Sequence, residues 1–391
     1  MKVDSLLLIA LHESEGVGWK TINRIILNGE LHEGLLFYDA NDWRACGLSV
    51  EKANKLAKDF PSFVERKQID LSNADDVGYR QHEAGVWNLT NRSKIRIITA
   101  LDDIYPDTLR SSQQAPWVLY CIGDLHLLSR PGIAMVGTRM PTAYGRKIAT
   151  MLSEELVRSG FMVVSGMARG IDSVVHDTAL RSGGPTVAVL GAGVDVIYPP
   201  ENRSLYEEIA AKGLIISEYP PGTKALPGFF PQRNRIIAGL TLGTVVVEAD
   251  ARSGSLITAD LALEAGRDVF SVPGPVTSPK SRGTLDLIKQ GAKMVTEARD
   301  IIEEYDSLLP KVASGTYNKE RRAPRQEQPD ELAGLTNDER QIYHMLEQGP
   351  GSLDDMIERT RWDFGHLHSV LLSLIIKKQI TQLPGAIYKI I

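Results

Sequence analysis

Cysteine is nearly absent from this sequence, which contains two, Cys46 and Cys121, among 391 residues. The pair has neither the spacing of a metal site nor the number that a disulfide framework requires. Disulfide-rich chains belong to oxidising compartments, whereas a chain with so few cysteines is typical of a reducing cytosol. We therefore expect a cytoplasmic protein with no metal site.

The sequence also lacks any apolar run near the roughly 20 residues that a membrane-spanning helix requires. The apolar stretch close to the N-terminus is short and ends at His12 and Glu13. Because no small-residue cleavage site follows it, this stretch is predicted to be a buried helix instead of a signal peptide. No membrane partner is expected.

An excess of positive charge is missing as well. Lys and Arg number 44 against 49 Asp and Glu, which gives a formal net charge of −5. A polyanionic partner would therefore require a local basic surface, because binding follows the local electrostatic field and not the sum over the chain. A chain of 391 residues is longer than one hydrophobic core normally serves, so several domains are expected.

Changes in composition divide the chain into four predicted segments. Residues 1–75 are helical, and their Gly-apolar-Gly turn before a helix resembles a helix-hairpin-helix or SAM-like domain, although such glycines also serve plain helix packing. Residues 94–307 are predicted to form an α/β domain. Residues 308–330 are polar, aperiodic and contain proline, which predicts a linker. Residues 331–391 show three helical patterns and a hairpin-like turn, which predicts a winged-helix domain.

The α/β prediction depends on short runs that are almost continuously apolar, as strands buried on both faces of a parallel sheet should be. Helical segments separate several of these runs, which indicates a doubly wound parallel sheet. The predicted strands are residues 133–137, 162–166, 186–190, 214–219, 245–248 and 268–273, with two earlier candidates at 95–99 and 117–122.

Glycine-rich turns follow four of these runs. In an open parallel sheet, ligands bind beyond the carboxyl ends of the strands, where turn N–H groups and helix N-termini stabilise phosphate. A single such turn also fits simple strand termination, whereas four in one sheet favour a phosphate site. Neither a G-x-G-x-x-G fingerprint nor a Walker motif is present, which disfavours dinucleotide and P-loop enzymes. The predicted phosphate-binding residues in these turns are Gly137, Thr138, Arg139, Gly166, Arg169, Gly170, Ser253, Gly254, Ser255 and Thr258.

A basic segment lies between Glu218 and Glu248, where the sequence has three basic residues and no acidic one. It is interpreted as a loop on which cations neutralise a nucleic-acid backbone and aromatic rings stack on bases. The alternative is that a phenylalanine belongs to a core and that the arginines form internal salt bridges. The predicted DNA-binding residues of this segment are Lys224, Arg233, Asn234 and Arg235. The predicted stacking residues are Phe229 and Phe230.

Three motifs carry a specific resemblance. Gly137-Thr138-Arg139, Arg233-Asn234-Arg235-Ile236-Ile237 and Ser253-Gly254-Ser255-Leu256-Ile257-Thr258 resemble the DNA-processing protein A (DprA/Smf) family. The similarity extends from about residue 102 to 302 and is looser in the flanking SAM-like and winged-helix segments.

This resemblance implies an extended Rossmann-like fold that binds single-stranded DNA in a basic pocket and forms a homodimer. It further implies a protein that protects incoming strands during natural transformation and helps load the RecA recombinase, with no cofactor and no catalytic residue. Transferred onto this sequence, the pocket would use Arg139, Arg169, Lys224, Arg233 and Arg235.

Two other functions compete with this interpretation. A nucleoside-monophosphate hydrolase of the lysine-decarboxylase-like type would need an acid/base pair, for which Glu248 and Asp250 are candidates, although the expected glycine run is missing. A sequence-specific transcription regulator would need a basic recognition helix in the C-terminal segment. The predicted helix there has His366 and His368 near its start and bases only at Lys377 and Lys378, which favours a protein-interaction or regulatory role.

Overall fold

The computed structural model describes residues 3–74, 95–305, 336–346, 351–360, 362–377, 379–383 and 387–390. The chain forms two compact units, Met1–Pro310 and Lys311–Ile391. The predicted linker at 308–330 lies outside the described residues. Within the ranges given above, none of the helices combines the length and the apolarity that a membrane crossing requires.

A nine-stranded sheet organises the larger unit, with the strand order β1-β2-β6-β5-β4-β3-β7-β8-β9. β1 and β2 are antiparallel to their neighbours, and the remaining strands pair in parallel. The predicted α/β fold with a largely parallel sheet is confirmed. The strands are β1 Arg96–Thr99, β2 Val118–Gly123, β3 Gly132–Val136, β4 Met162–Ser165, β5 Thr186–Val189, β6 Leu214–Ser217, β7 Gly243–Val246, β8 Asp268–Ser271 and β9 Lys293–Met294.

Helices cover both faces of this sheet, which is why the central strands are buried throughout and read as apolar runs. One segment departs from its prediction: residues 229–235, interpreted as part of a loop, belong to a helix. The helices are α1 Val3–Glu13, α2 Trp19–Leu27, α3 Ala40–Ala45, α4 Val50–Ala74, α5 Asp107–Arg110, α6 Ala143–Arg158, α7 Ile171–Arg181, α8 Arg203–Lys212, α9 Phe229–Gly239, α10 Gly254–Glu264, α11 Arg282–Lys289 and α12 Arg299–Ile302.

The N-terminal helices pack on the sheet. Buried side chains of α1, α2 and α4 share one hydrophobic cluster with residues of β2, β5 and β6. Polar contacts join the same elements: Tyr120 Oη donates to Glu13 Oε1 at 2.7 Å, and Glu13 pairs with Lys67 at 2.6 Å. Trp19 stacks on Trp117 with ring centroids 5.7 Å apart. The N-terminal helices and the sheet therefore form one compact unit.

The order of the strands creates a crevice at the middle of the sheet. From β3 the chain continues to β4 on one side, whereas β7, on the other side of β3, leads to β8 and β9. The loops after β3 and β7 therefore diverge, and they leave an opening at the carboxyl ends of these two strands. In doubly wound sheets such a switch point is where ligands bind.

The described residues of the smaller unit form three helices and a three-stranded sheet with the order β10-β12-β11. A capping box begins its first helix, since Thr336 N donates to Glu339 Oε2 at 2.6 Å and Glu339 N donates to Thr336 Oγ1 at 3.3 Å. This arrangement confirms the winged-helix prediction, although residues 384–386 of the predicted turn lie outside the described residues. The elements are α13 Asn337–Leu346, β10 Gly351–Ser352, α14 Leu353–Thr360, α15 Phe364–Ile376, β11 Ile380–Leu383 and β12 Ile387–Ile390.

Candidate nucleic-acid interface

A cavity of about 430 Å³ occupies the crevice at the switch point. Three loops and two helix starts enclose it: the loops after β3, β4 and β5, and the first turns of α9 and α10. Its lining residues are Val136, Gly137, Thr138, Arg139, Ala168, Asp172, Tyr198, Pro227, Phe230, Pro231, Arg233, Asn234, Ile237, Ser253, Gly254, Ser255, Ile257 and Thr258. Seven of the predicted turn residues are thus brought together here, with Arg233 and Asn234 of the basic segment and one of the two predicted stacking rings, Phe230.

The N-terminus of α10 forms one wall. Ser253 caps the helix, with its Oγ accepting from Ser255 N at 3.4 Å and lying 2.8 Å from Ser255 Oγ. A Cβ added at Gly254 would meet no atom within 4 Å, so this part of the backbone is open on that side. The exposed start of α10 and the positive end of its helix dipole favour an anion at this wall.

Arg139 and two aromatic rings form another part of the lining. The Arg139 guanidinium carbon lies 6.0 Å from the centre of the Phe230 ring, and Phe230 lies 5.3 Å from the ring of Tyr198. Tyr198 is 46% exposed, which leaves much of its ring surface available. Tyr198 is not among the site residues that the sequence predicts. This part of the lining, the aromatic rim, therefore combines a cation with two aromatic side chains.

The turn between β4 and α7 packs beneath the Arg139 loop. Gly170 has φ +85°, and a Cβ there would lie 2.3 Å from the Thr138 carbonyl oxygen. Ile171 N donates to that same oxygen at 3.2 Å. Among the residues that the structure describes, Gly166 and Gly170 do not line the cavity. Their geometry allows neighbouring chain segments to approach closely and thereby positions the loop that carries Arg139.

Arg233 lies at the floor of the cavity and is only 4% exposed. Its Nη1 donates to the carbonyl oxygens of Gly166, at 2.7 Å, and of Val189. Burial lowers the pKa of Arg233 to about 10, against the opposing effect of Asp172, so the guanidinium remains charged at neutral pH. It therefore holds the carboxyl ends of β4 and β5 together and adds positive charge below the cavity.

Two titratable groups accompany Arg233. Asp172 accepts from Gly166 N at 3.2 Å and from Ala168 N at 3.3 Å, and burial raises its pKa while the Arg233 charge opposes that rise. His176 is fully buried, with Nδ1 2.7 Å from Thr186 Oγ1. Burial and the Arg233 charge lower the pKa of His176 to about 3, so its imidazole is neutral at physiological pH.

Arg235 lies away from this cavity. Its Nη2 pairs with Glu218 Oε2 at 2.5 Å, and both side chains are more than four-fifths buried, with exposures of 17% and 15%. Arg235 instead lines a separate cavity of about 90 Å³ with Ser112, Gln113 and Gln114. The alternative interpretation of an internal salt bridge thus describes the contacts of Arg235.

The other predicted residues surround the cavity without lining it. Arg169 forms an ion pair with Glu201, and both side chains are substantially exposed. Lys224 is exposed on the loop before α9, whose Pro227 reaches the cavity. Phe229 stacks on Tyr219, with ring centroids 4.1 Å apart, whereas Phe230 faces the cavity.

The candidate acid/base pair of the competing hydrolase does not converge. Glu248 is 4% exposed, and its carboxylate accepts from Thr142 N at 2.8 Å and from Thr142 Oγ1 at 2.5 Å. Asp250 is exposed and accepts from Ala251 N within its own loop. In the part of the chain that is described, neither carboxylate lines the cavity. Glu248 instead holds the start of α6.

The winged-helix unit has a mixed surface on α15. His366 pairs with Asp338 at 3.0 Å, and Phe364 stacks on His368 at 5.6 Å. Lys377 pairs with the buried Glu339 at 2.7 Å, and Lys378 lies outside the described residues. The predicted protein-interaction or regulatory role of this unit stays a prediction.

Comparison with known proteins agrees with these features. The family described as DNA recombination-mediator protein A matches residues 96–306, and the DprA winged helix domain matches residues 326–386. Protein Smf of Synechocystis sp. is 38% identical over 410 residues, which cover 97% of this chain and 97% of that protein.

Two solved structures are similar as well. DNA processing protein A from Streptococcus pneumoniae is 35% identical with a TM-score of 0.63, and the match covers 78% of this chain and 99% of that one. DNA processing protein A from Helicobacter pylori, solved for its single-stranded DNA binding mode, is 32% identical with a TM-score of 0.50, and the match covers 55% of this chain and 98% of that one. This chain therefore belongs to the DprA/Smf family of DNA recombination-mediator proteins.

Proposed function

We propose that this chain binds single-stranded DNA with little dependence on base sequence, using the cavity at the switch point. The observation that carries the proposal is that one cavity is lined by Arg139 next to Phe230, by Tyr198 next to the same ring, and by the N-terminus of α10. The helix start and the guanidinium suit phosphate oxygens, and the rings suit the faces of bases. Both kinds of group occur in one cavity, as a single strand requires.

The preference for a single strand follows from the rings. The faces of bases inside a duplex are already stacked on their neighbours, so Phe230 and Tyr198 would have to disrupt that stacking to reach them. In a single strand the same faces are accessible, and every base offers one. We therefore expect an affinity that depends little on base sequence and is higher for a single strand than for a duplex. The single-stranded DNA binding mode described for the Helicobacter pylori protein supports this assignment.

We further propose that the protein acts in the cytoplasm as a homodimer, protects single strands during natural transformation and helps to load RecA onto them. Family membership supports these roles, and the buried free cysteines Cys46 and Cys121 suit a reducing compartment. Two cavities on one strand would raise affinity through effective concentration. Sedimentation would measure the assembly state, and RecA filament growth on strands covered by single-strand-binding protein would measure loading. A monomer that leaves filament growth unchanged would contradict both roles.

A binding role is proposed in preference to catalysis because Glu248 is engaged by Thr142 and Asp250 is engaged within its own loop. Release of free base from nucleoside monophosphates, tested on the purified chain, would instead favour the hydrolase.

The decisive experiment is a titration of random-sequence single-stranded and double-stranded oligonucleotides of equal length, followed by fluorescence anisotropy. The single strand is expected to bind more tightly, with a log–log salt slope near −0.7 for each neutralised phosphate. Equal affinity for the duplex would contradict the proposal. Arg139→Ala serves as the site variant. Lys212→Gln serves as its control, because Lys212 lies just before β6, at the amino ends of the strands, whereas the cavity lies at their carboxyl ends.

A further inference from the structure

Three exposed apolar side chains lie on segments that hydrogen bonds join to the loop carrying Arg139. Val276 is 81% exposed, Met140 is 75% exposed and Tyr144 is 41% exposed. Met140 lies in the loop after β3, Tyr144 lies in the first turn of α6, and Val276 lies in the loop after β8. Contiguous exposed apolar side chains usually indicate a surface that a partner covers.

Polar contacts hold these three segments together and place cations between the apolar side chains. Tyr144 Oη donates to Pro273 O at 2.7 Å. Lys280 Nζ donates to the carbonyl oxygen of Met140, and Arg146 Nη1 donates to that of Pro141 at 2.7 Å. An ammonium and a guanidinium therefore flank the exposed Met140.

This surface is continuous with the cavity. Met140 directly follows Arg139, which lines the cavity, so a ligand that contacts Arg139 is one residue away from the exposed methionine. The loop between β7 and α10, with its exposed Arg252, is tied to the Lys280 segment because Ala249 N donates to Lys280 O at 2.9 Å. The basic groups thus extend from the cavity toward β8.

The opposite side of the cavity is less favourable to a polyanion. Arg169 on that side already forms an ion pair with Glu201, whose carboxylate would repel a phosphate that approached it. Beside Met140, by contrast, Lys280 and Arg146 donate to neutral carbonyl oxygens, which bring no negative charge that would repel a phosphate. Charge therefore favours the side of β8.

We propose that Met140, Tyr144, Val276, Lys280 and Arg252 form a second contact surface, the β8 rim, along which single-stranded DNA leaves the cavity. The inference rests on the proposed function. Cationic groups interleaved with apolar and aromatic side chains suit a strand whose phosphates and bases alternate along its length. The cavity holds the first nucleotides, and the β8 rim contacts those that follow.

The test compares two oligothymidylates, one of about four nucleotides and one of about 16 nucleotides, by fluorescence anisotropy at several salt concentrations. Lys280→Gln is expected to lower the affinity of the longer strand about 3- to 10-fold and to reduce its salt slope by about 0.7. Val276→Glu, which places a carboxylate beside the phosphates, should act in the same direction. Affinity for the short strand should stay within about twofold of the parent protein. Lys212→Gln removes the same charge at the amino edge of the sheet and should change neither affinity.

Each outcome bears on one proposal. If the parent protein binds neither strand, the proposed function is wrong. If it binds both and the two variants leave the longer strand's affinity unchanged, or weaken both strands equally, the β8 rim is wrong and the cavity assignment stands. A fall in sedimentation mass for Val276→Glu, with unchanged DNA affinity, would assign the surface to contact between copies of the chain.

Discussion

Arg233 and Arg235 point to different sites although a single residue separates them on α9. Arg233 holds the carbonyl oxygens of Gly166 and Val189 below the cavity, and Arg235 pairs with Glu218 beside a different, smaller cavity. Successive helical residues are about 100° apart, so positions two apart lie on nearly opposite sides of the helix. One motif thus supplies a cation to the cavity floor and an ion pair elsewhere.

This division predicts different consequences for the two sides of α9. Arg235→Met leaves the largely buried carboxylate of Glu218 without its partner and should lower the free energy of unfolding by about 2 kcal/mol. Its affinity for single-stranded DNA should change less than about twofold, since Arg235 is remote from the cavity lining. Denaturant unfolding and anisotropy measure the two quantities. The double variant of Arg235→Met with Glu218→Gln should lose less stability than the sum of the losses in the two single variants. A large loss of DNA affinity without destabilisation would contradict the assignment of Arg235 to an ion pair outside the DNA site.

Arg139 and Lys224 should behave in the opposite manner. Both are exposed, so Arg139→Ala combined with Lys224→Ala should leave the melting temperature almost unchanged. The double variant should bind single-stranded DNA at least about 10-fold more weakly. Its salt slope should also be flatter, because a protein with fewer phosphate contacts releases fewer counterions on binding. Thermal unfolding and salt-dependent anisotropy measure these effects. Parent affinity in the folded variant would remove both residues from the DNA interface.

Much of the fold could be predicted because burial on both faces leaves a direct record in the sequence. The runs at β3, β4, β5 and β6 are almost continuously apolar for that reason, and the glycine-rich turns after β3, β4 and β5 mark the edge where the cavity lies. The crevice position followed from parallel topology alone.

The parts that sequence reasoning missed depend on helix phase and on long-range contacts. The basic segment with Phe229–Arg235 is interpreted from the sequence as a loop, but it forms the first part of α9, and Pro231 lies in the first turn, where proline is tolerated. The ion pair of Arg169 with Glu201 joins residues 32 positions apart, and no local pattern indicates it. The same holds for the proximity of Tyr198 to Phe230.

The buried His176 predicts a dependence of stability on pH. Its pKa is about 3 in the folded chain against 6.5 for the free side chain, so folding requires the neutral imidazole. The contribution is fully present above pH 6.5 and is lost as the pH falls toward 3, by at most about 1.4 kcal/mol for each pH unit. His176→Asn cannot titrate in this range. Its unfolding free energy should be lower at pH 7 but should fall less steeply between pH 6.5 and pH 4 than that of the parent chain. Parallel curves would show that His176 does not titrate on unfolding.

Tyr198 provides the sharpest test of the aromatic rim. Its ring is about half exposed and lies 5.3 Å from Phe230, so Tyr198→Leu removes a stacking surface while an apolar side chain remains. Loss of one stacked base should cost about 1–3 kcal/mol, which is about a 5- to 150-fold weaker affinity. Tyr198→Phe keeps the ring and should bind like the parent protein, which separates stacking from any contribution of the hydroxyl.

The matched ligand control is a strand that lacks bases. If Tyr198 acts by stacking, an abasic strand of the same length should bind the parent protein and Tyr198→Leu with similar, weak affinities, because both retain Arg139 and the N-terminus of α10 for the phosphates. Anisotropy with both strands on all three proteins measures this. If Tyr198→Leu weakens the abasic strand as much as the normal one, the residue shapes the cavity without touching bases. If it weakens neither strand, the bases rest on Phe230 alone or outside the cavity, and the aromatic rim is not a stacking platform.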